Sequence, residues 1–402
     1  MSPTTLPAPR RPLEPYQGGR ALMLGSLAVG GFGMVLACAG IFLGQAAAPF
    51  SYLVGFTYWL GIAVASLVWL ACFLASKARW MVVLRRMLEV QAVSVAIFAV
   101  LFLPLALSMA RLWEWVSPPS TWTHEEHALL AHKQVYLNVT AFLVRAAAYF
   151  VCWIVISQLL HRWSLRQDAV GGHALTQRQR VLGAASLPVL AISLTFAAFD
   201  WLMSLYPFWS SSIFGVYYFA GSFLSAMALL TLVTVAVSGT EWFGTLVTPA
   251  HLHNLGKLLL AFTVFWAYIG FSQLLLVWIA NLPEEVTWYR DRIRNGWQWV
   301  GIALVLVHFV LPFLVLLSRG VKLRRDRLAV ISIWILLAHY LDLYFMVMPR
   351  VDAAPSPHWT DPAAFVGIGG VAIAFGLFVL RGRPTVPVRD PYLADSLRYQ
   401  QP

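Results

Sequence analysis

The sequence predicts an all-α polytopic membrane protein with about ten transmembrane helices. The chain has 402 residues, of which 60% are hydrophobic and only 11% are charged. A soluble domain carries about 25% charged residues, so a soluble fold of this length would leave much of this apolar surface in water. The apolar stretches are continuous and do not alternate with polar residues, which excludes a transmembrane β-barrel.

Ten apolar stretches divide the chain into candidate spans. Most of them reach the roughly 20 residues that a helix needs to cross the hydrocarbon core of a bilayer. Polar connections separate them, and the last stretch is short and rich in glycine. The predicted spans are 21–43, 52–75, 87–109, 137–160, 182–204, 213–237, 254–279, 297–318, 327–347 and 364–380.

Three regions follow from this division. Residues 1–20 are rich in proline and contain arginine, so we predict a disordered cytoplasmic tail. Residues 21–380 form the membrane domain of ten helices, and residues 381–402 form a second cytoplasmic tail. The first apolar stretch is too long for a signal-peptide core and lacks a small-residue cleavage site, so we expect no signal peptide.

The basic residues are distributed unevenly between the two sides of the predicted membrane domain. The even-numbered connections and both tails hold 20 lysines and arginines, whereas the opposite side holds 6. The positive-inside rule therefore places both termini in the cytoplasm and favours an even number of spans. The net charge of +11 follows from this topology, and we expect no nucleic-acid partner.

Residues that hold metals or redox centres are sparse. Cys38, Cys72 and Cys152 each lie singly inside an apolar stretch, without a CxxC or CxxCH motif. We therefore expect no iron–sulfur cluster and no covalent haem on this chain. The run HEEH at 124–127 does not match HExxH, so an ordinary surface loop competes with a metal site there.

Two connections on the side opposite the termini are long and aromatic. Residues 110–136 contain three tryptophans, and residues 280–296 read NLPEEVTWYRDRIRNGW. Trp and Tyr suit the membrane–water interface. Both connections are also long and polar enough to dock extracytoplasmic partners.

Ionisable side chains within the apolar stretches are the main clue to function, because they are costly in hydrocarbon unless they face a partner, water or a cavity. His339 and Asp342 are three residues apart, so they share a helix face. Titratable groups at successive depths are typical of proton relays and quinone sites. We predict a proton path through Arg145, Asp200, Lys257, Glu285, His308, His339 and Asp342.

Other interpretations of these residues remain open. One hypothesis makes Arg145 a counter-charge in the path, and the other makes it only the partner that neutralises Asp200. For His308 and His339, one hypothesis is that each bonds a backbone carbonyl, and the other is that together they ligate a haem from consecutive spans. Two histidines in ten spans match that second pattern easily by chance.

Several motifs between 195 and 350 are distinctive, and together they resemble the ActF-type subunit of alternative complex III. That complex is the bacterial quinol:cytochrome c (or quinol:acceptor) oxidoreductase, and the subunit belongs to the NrfD-like family of membrane quinone-reactive proteins. The motifs are FDWLMSL at 199–205, SIFGVY at 212–217, LGK at 255–257, FWAYIGFSQ at 265–273, NLPEE at 281–285, WYRDRIRNGW at 288–297 and HYLDLY at 339–344.

The resemblance implies an architecture and a set of partners. Spans two to five and six to nine would form two four-helix bundles, with one flanking helix at each end of the chain, in the bacterial inner membrane. The partners would be a homologous NrfD-like quinol-binding subunit, an iron–sulfur subunit, c-type cytochrome subunits, small membrane subunits and lipid. Haems and clusters would lie on those partners, and a quinone on this chain stays open. The matching motifs contain Asp200, Lys257, Glu284, Glu285, Arg292 and Asp342.

One departure from the family pattern concerns the outer end of the fifth span. Relatives often carry an acidic residue and a histidine near the positions of Tyr206 and Phe208. Neither residue here has such a titratable group, which disfavours a redox or proton site at that point.

The sequence therefore predicts a membrane subunit of a respiratory quinol oxidoreductase, without its own redox centre and not catalytic alone. Two alternatives stay open. A secondary transporter is one, because Pro104, Pro188 and Pro312 could break helices as transporter sites require. A purely structural scaffold subunit is the other.

Overall fold

The computed structural model describes residues 14–244 and 246–400. Ten helices in this part of the chain are long and apolar enough to cross a membrane, and no β-strand occurs there. The chain is therefore an all-α polytopic membrane protein, as predicted. In chain order the helices are α1 (Arg20–Phe42), α2 (Ala48–Ala75), α3 (Arg79–Leu107), α4 (Val139–Val170), α5 (His173–Leu205), α6 (Phe214–Val237), α7 (Pro249–Ala280), α8 (Trp297–Leu317), α9 (Arg325–Arg350) and α10 (Thr360–Leu380).

Several helices extend beyond the predicted spans. The clearest case is the pair α4 and α5. Most of the predicted connection 161–181 is helical in this pair, and only Gly171 and Gly172 form the turn between the two helices. Both glycines have positive φ angles, 72° and 85°, which glycine adopts without a steric penalty. Hydropathy marks only the apolar part of a helix, whereas the backbone hydrogen bonds continue into the polar turns that project from the membrane.

Two four-helix bundles make up the centre of the molecule, as expected. Helices α2 to α5 form one closed ring of contacts and α6 to α9 form the other. The bundles meet where α2 and α5 pack against α6, and where α2 packs against α9. Helix α2 is apolar all round and almost wholly buried, which is the expected environment for such a helix.

The flanking helices α1 and α10 pack against each other and, as a pair, against α2. Glycines at their crossing allow the backbones to touch. A Cβ on Gly33 would lie 2.7 Å from the Gly367 nitrogen, and one on Gly30 would lie 2.6 Å from the Val371 nitrogen. Small residues allow this close approach. In lipid, van der Waals packing between closely approaching helices stabilises their association, because the hydrophobic effect does not act between them.

The predicted tails make contacts where they are described. Residues 1–13 and 401–402 lie outside the described residues, so most of the predicted disordered segment does too. Tyr16 pairs through its backbone with Arg383 (N to O, 2.9 Å) and with Gly382 (O to N, 2.8 Å). The C-terminal segment then runs across the helix ends, and Asp390 and Ser396 are buried there.

Candidate functional site

A buried carboxylate occupies the interior of the second bundle. Asp342 of α9 is 1% exposed. It accepts a hydrogen bond from the Tyr217 hydroxyl of α6 (2.5 Å to Oδ1) and one from the Trp266 indole of α7 (2.9 Å to Oδ2). His339 lies one helical turn away, with Nδ1 3.7 Å from Oδ2. Three helices therefore converge on one acidic group.

Two histidines beside Asp342 are fully buried. The rings of His308 on α8 and His339 on α9 are 6.1 Å apart between centroids, and Trp266 lies 4.0 Å from His308. None of the four imidazole nitrogens has a hydrogen-bond partner among the described residues. Buried polar atoms are usually paired in folded proteins, so this cluster of Asp342, His308 and His339, here called the chamber, is unusual within the bundle.

The helix that carries His308 is irregular at that point. Residues Val305–Val310 form a π-helical turn, and Pro312 follows two residues after its end. A proline at 312 has no N–H to give to the carbonyl of residue 308, and its ring clashes with that carbonyl. In the same turn, the Trp334 indole of α9 donates to the Val307 carbonyl (2.7 Å). Single π turns of this kind are frequent at functional sites.

A glycine on α6 makes room for the chamber. A Cβ on Gly221 would lie 2.7 Å from Cε1 of His339 and 3.2 Å from Oδ2 of Asp342. The adjacent Ser222 and, one turn further on, Ser225 have buried hydroxyls without a hydrogen-bond partner among the described residues. Gly221 thus lets α6 approach α9 closely, whereas Ser222 faces α2, where a Cβ on Gly61 would lie 2.4 Å from its hydroxyl oxygen.

A second carboxylate lies in the first bundle and is held differently. Asp200 of α5 is fully buried. Arg145 of α4 donates hydrogen bonds to both of its carboxylate oxygens, from Nη2 to Oδ1 (2.8 Å) and from Nε to Oδ2 (2.9 Å). The Tyr149 hydroxyl adds a third donor at 2.8 Å. Arg145 also donates to the Tyr136 carbonyl (3.0 Å). Such a bidentate pair with a guanidinium is among the stronger charged hydrogen-bond arrangements in proteins.

The two carboxylates occupy corresponding positions in their bundles. Asp200 precedes Pro207 by seven residues, and Asp342 precedes Pro349 by seven. Each helix tightens to a 3₁₀ turn before or at its proline, at Met203–Leu205 and Met348–Arg350. The residues around the two carboxylates differ, so the sequence alone does not show this correspondence.

The remaining predicted path residues stand apart from both carboxylates. Lys257 is exposed near the start of α7, at the membrane surface that holds the termini. Glu285 is half-buried on the short helix Pro283–Arg292 at the opposite surface, where its carbonyl accepts from the Trp209 indole (2.9 Å). Side-chain contacts thus join Arg145 to Asp200, and they bring His308, His339 and Asp342 together. Among the described residues no hydrogen bond or ion pair connects these two groups or extends them to Lys257 and Glu285.

Arg292, which belongs to a family-like motif, has a structural role in the fold. It is 1% exposed and donates to the carbonyls of Trp288, Phe345 and Met346 at 2.6–3.0 Å. Two of those carbonyls belong to the last turns of α9, which lack partners of their own. Burial lowers the pKa of Arg292, but a guanidinium keeps its charge in proteins.

An ionic network at the surface that holds the termini was missed by sequence reasoning. Arg85 and Arg86 precede the predicted third span and were counted as loop charges, yet both are buried in α3. Glu89 accepts from Arg85 (3.1 Å) and Arg86 (2.9 Å). The pairing of basic residues with a glutamate at i+3 and i+4 was the available signal.

The same network ties the C-terminal segment to α3 and α4. Arg85 pairs with Asp390 (2.6 Å), and Arg86 pairs with Asp168. His161 lies between Glu89 (3.3 Å) and Arg383 (2.5 Å). An arginine only donates, so Nε2 of His161 accepts and Nδ1 carries the proton toward Glu89. Burial and the charge of Arg86 lower the pKa of Arg383.

The described residues contain no group of three or more His, Cys, Asp or Glu side chains that could hold a metal ion, and the HEEH run lies on an exposed helix, His124–Lys133. No family model matches the chain, and no curated protein matches its sequence. The chain is thus identified at the level of its architecture, a ten-helix membrane protein with a buried acid–histidine chamber.

Proposed function

We propose that this chain is an integral membrane subunit of a respiratory quinol:cytochrome c (or other acceptor) oxidoreductase, without its own redox centre. It conducts protons through the Asp342 chamber and supports a homologous quinol-oxidising subunit. The location is the bacterial inner membrane, with both termini in the cytoplasm. The motif resemblance supports the choice of complex. The observation that carries the proton role is the convergence of Asp342, His339 and His308 inside one bundle.

The chamber has the chemistry that a proton relay requires. In this proposal the Asp342 carboxyl group is the proton carrier, and the Tyr217 and Trp266 donors hold it in place. His339 is 3.7 Å from the carboxylate, which is longer than a hydrogen bond. A water molecule or a small rotation of the imidazole would complete the transfer. His308, on the π turn of α8, lies 6.1 Å from His339 and 4.0 Å from Trp266 between ring centroids.

Asp200 does not take part in transfer in this proposal. Its two oxygens are occupied by the Arg145 guanidinium, which never loses its proton. The pair neutralises itself inside the first bundle. The second bundle alone carries the proton path, and the first bundle provides the packing surface for it.

The partners supply the redox chemistry. An iron–sulfur subunit and c-type cytochrome subunits would carry the electrons from quinol, and small membrane subunits and lipid would complete the assembly. The aromatic outer segments 110–136 and 280–296 would form the docking surface for the extracytoplasmic partners.

Asp342→Asn in the assembled complex tests the proton role. Asparagine keeps the size of the side chain but cannot exchange a proton at neutral pH. We expect normal assembly and electron transfer, with fewer protons moved per electron in reconstituted vesicles. Tyr149→Phe, which removes a donor to the other carboxylate, is the matched control and should leave the ratio unchanged. An unaltered ratio in Asp342→Asn would reject the role.

One observation favours a second function. The π turn and Pro312 interrupt α8 near mid-membrane, and secondary transporters bind substrates at interrupted helices. Solute uptake by the purified chain in liposomes, abolished by Asp342→Asn, would favour a transporter. Full turnover and full proton movement after replacement of every chamber residue would instead favour a scaffold.

A further inference from the structure

The connection between α8 and α9, together with the first turn of α9, carries a concentration of positive charge. Residues 319–327 read RGVKLRRDR, with five basic side chains and one acidic side chain. That acid, Asp326, is already paired with Arg324 (Nη2 to Oδ2, 2.9 Å). The remaining cations of the segment therefore have no carboxylate within it.

One of these cations is held in a fixed place. Lys322 is 7% exposed, and its stem lies across α7 at Gly256, where a Cβ would meet Cγ of Lys322 at 2.5 Å. The next residue on α7 is Lys257. Burial and the charge of Lys257 lower the pKa of Lys322. Among the described residues neither ammonium group has an ion pair or a hydrogen bond. Two unpaired ammonium groups on adjoining parts of packed helices favour an anion close to both.

The membrane-facing wall beside this cationic pair is apolar. Leu314 and Leu317 on the last turns of α8 are more than half exposed, and Leu323 and Val330 continue the surface toward α9. Their exposure on a membrane helix means contact with acyl chains. The cations at the helix ends suit the charged headgroup of an anionic lipid, and the apolar wall suits its acyl chains.

We infer that Lys257 and Lys322, with Arg319 beside them, bind the phosphate of an anionic phospholipid in the leaflet that faces the termini. The phosphate would lie between the two ammonium groups, and the acyl chains would lie along α8. A free phosphate ion would gain the charge contact but nothing from the leucine wall. Basic pockets between membrane helices bind anionic lipid headgroups by this combination of contacts. The inference does not depend on the proposed respiratory role.

Native mass spectrometry of the full chain, titrated with phosphatidylglycerol or with phosphatidylcholine, tests the site. Each lysine near an anionic headgroup contributes about five-fold in affinity. The double variant Lys257→Gln/Lys322→Gln is therefore expected to bind phosphatidylglycerol roughly 25-fold more weakly. Binding of phosphatidylcholine should be weak in both proteins and unchanged between them.

A control of equal charge separates this site from the general surface potential. Arg381→Gln/Arg398→Gln removes two exposed cations of the C-terminal segment at the same membrane surface and should retain tight binding. Equal losses in both double variants, or no loss in either, would overturn the inference. So would displacement of the lipid by millimolar inorganic phosphate, because that result assigns the site to a free anion.

Gly256→Ala keeps every charge but crowds the stem of Lys322. It is expected to weaken phosphatidylglycerol binding several-fold, with the secondary structure and melting temperature close to those of the parent protein. Unchanged binding in this variant would show that the position of Lys322 does not matter and would also contradict the site.

Discussion

At the residue scale, the two buried aspartates differ in what surrounds them. Asp200 faces a guanidinium that fills both oxygens, whereas Asp342 faces a hydroxyl, an indole and two imidazoles. The first arrangement fixes a charge, and the second leaves groups that can exchange protons. Sequence reasoning placed both residues in one path because both are acids in apolar stretches. The pairing that separates them comes from neighbouring helices.

Loss of the arginine that grips Asp200 should destabilise the first bundle. Arg145→Gln leaves a buried carboxylate without its counter-charge, which costs about 3–5 kcal/mol in such pairs. The double variant Arg145→Gln/Asp200→Asn should recover a large part of that loss. Unfolding in mild detergent, followed by circular dichroism, measures both. Exposed ion pairs contribute at most about 1 kcal/mol to the free energy of unfolding. A loss of that size or smaller in the single variant would contradict a structural role for the pair.

Gly221 should be needed for the chamber but not for the fold. In Gly221→Ala, the new methyl group would press on His339 and approach Asp342, while alanine favours the helix by about 1 kcal/mol. We expect a folded protein that moves fewer protons per electron in vesicles. Gly31→Ala on α1, where a Cβ would meet no atom within 4 Å, is the control. If both variants move the same number of protons per electron, crowding at the chamber does not affect proton movement.

At the element scale, α8 shows how one proline shapes a site. Pro312 leaves the carbonyl of residue 308 without its usual partner, and a π turn forms over Val305–Val310. The sequence signal was the proline itself, which was noted as a candidate break. The form of the break, and the Trp334 indole that covers the Val307 carbonyl, depend on α9.

Pro312→Ala should allow α8 to become regular. Removing the π turn would rotate the residues on one side of it by roughly 100°, the angle per residue of an α-helix. His308 would then leave Trp266, and proton movement should fall. A cryo-EM map of α8 provides the measurement. Pro188→Ala, at a proline inside α5, is the control that should leave the chamber unchanged. An intact π turn in Pro312→Ala would show that α9 and α7, and not the proline, impose it.

At the scale of the whole molecule, ionic contacts connect segments that are distant in sequence. Arg85 and Asp390 are separated by most of the chain, and both are buried. The C-terminal segment therefore acts as a strap across α3 and α4. The sequence predicted only a polar tail there, because the residues that contact this segment lie far away in the chain.

Breaking the strap should loosen the C-terminal segment selectively. Asp390→Asn removes a charged hydrogen bond worth about 1.5–3 kcal/mol, so the amides of 384–400 should exchange hydrogen about 10- to 100-fold faster. Asp395→Asn removes only the exposed pair with Arg79, worth about 0–1 kcal/mol. Exchange measured by mass spectrometry distinguishes them. Equal protection in both variants would mean that the buried pair does not hold the segment.

The sequence by itself determined the class of the protein, the number of helices and the alternation of their direction. These properties follow from local composition, because each helix must satisfy its own backbone in lipid whatever its neighbours are. Only the tertiary structure decided which polar groups meet. Partners such as Tyr217 for Asp342, or Arg145 for Asp200, come from other helices. Their pairing depends on helix packing and rotation, which a pattern of hydropathy along one segment does not contain.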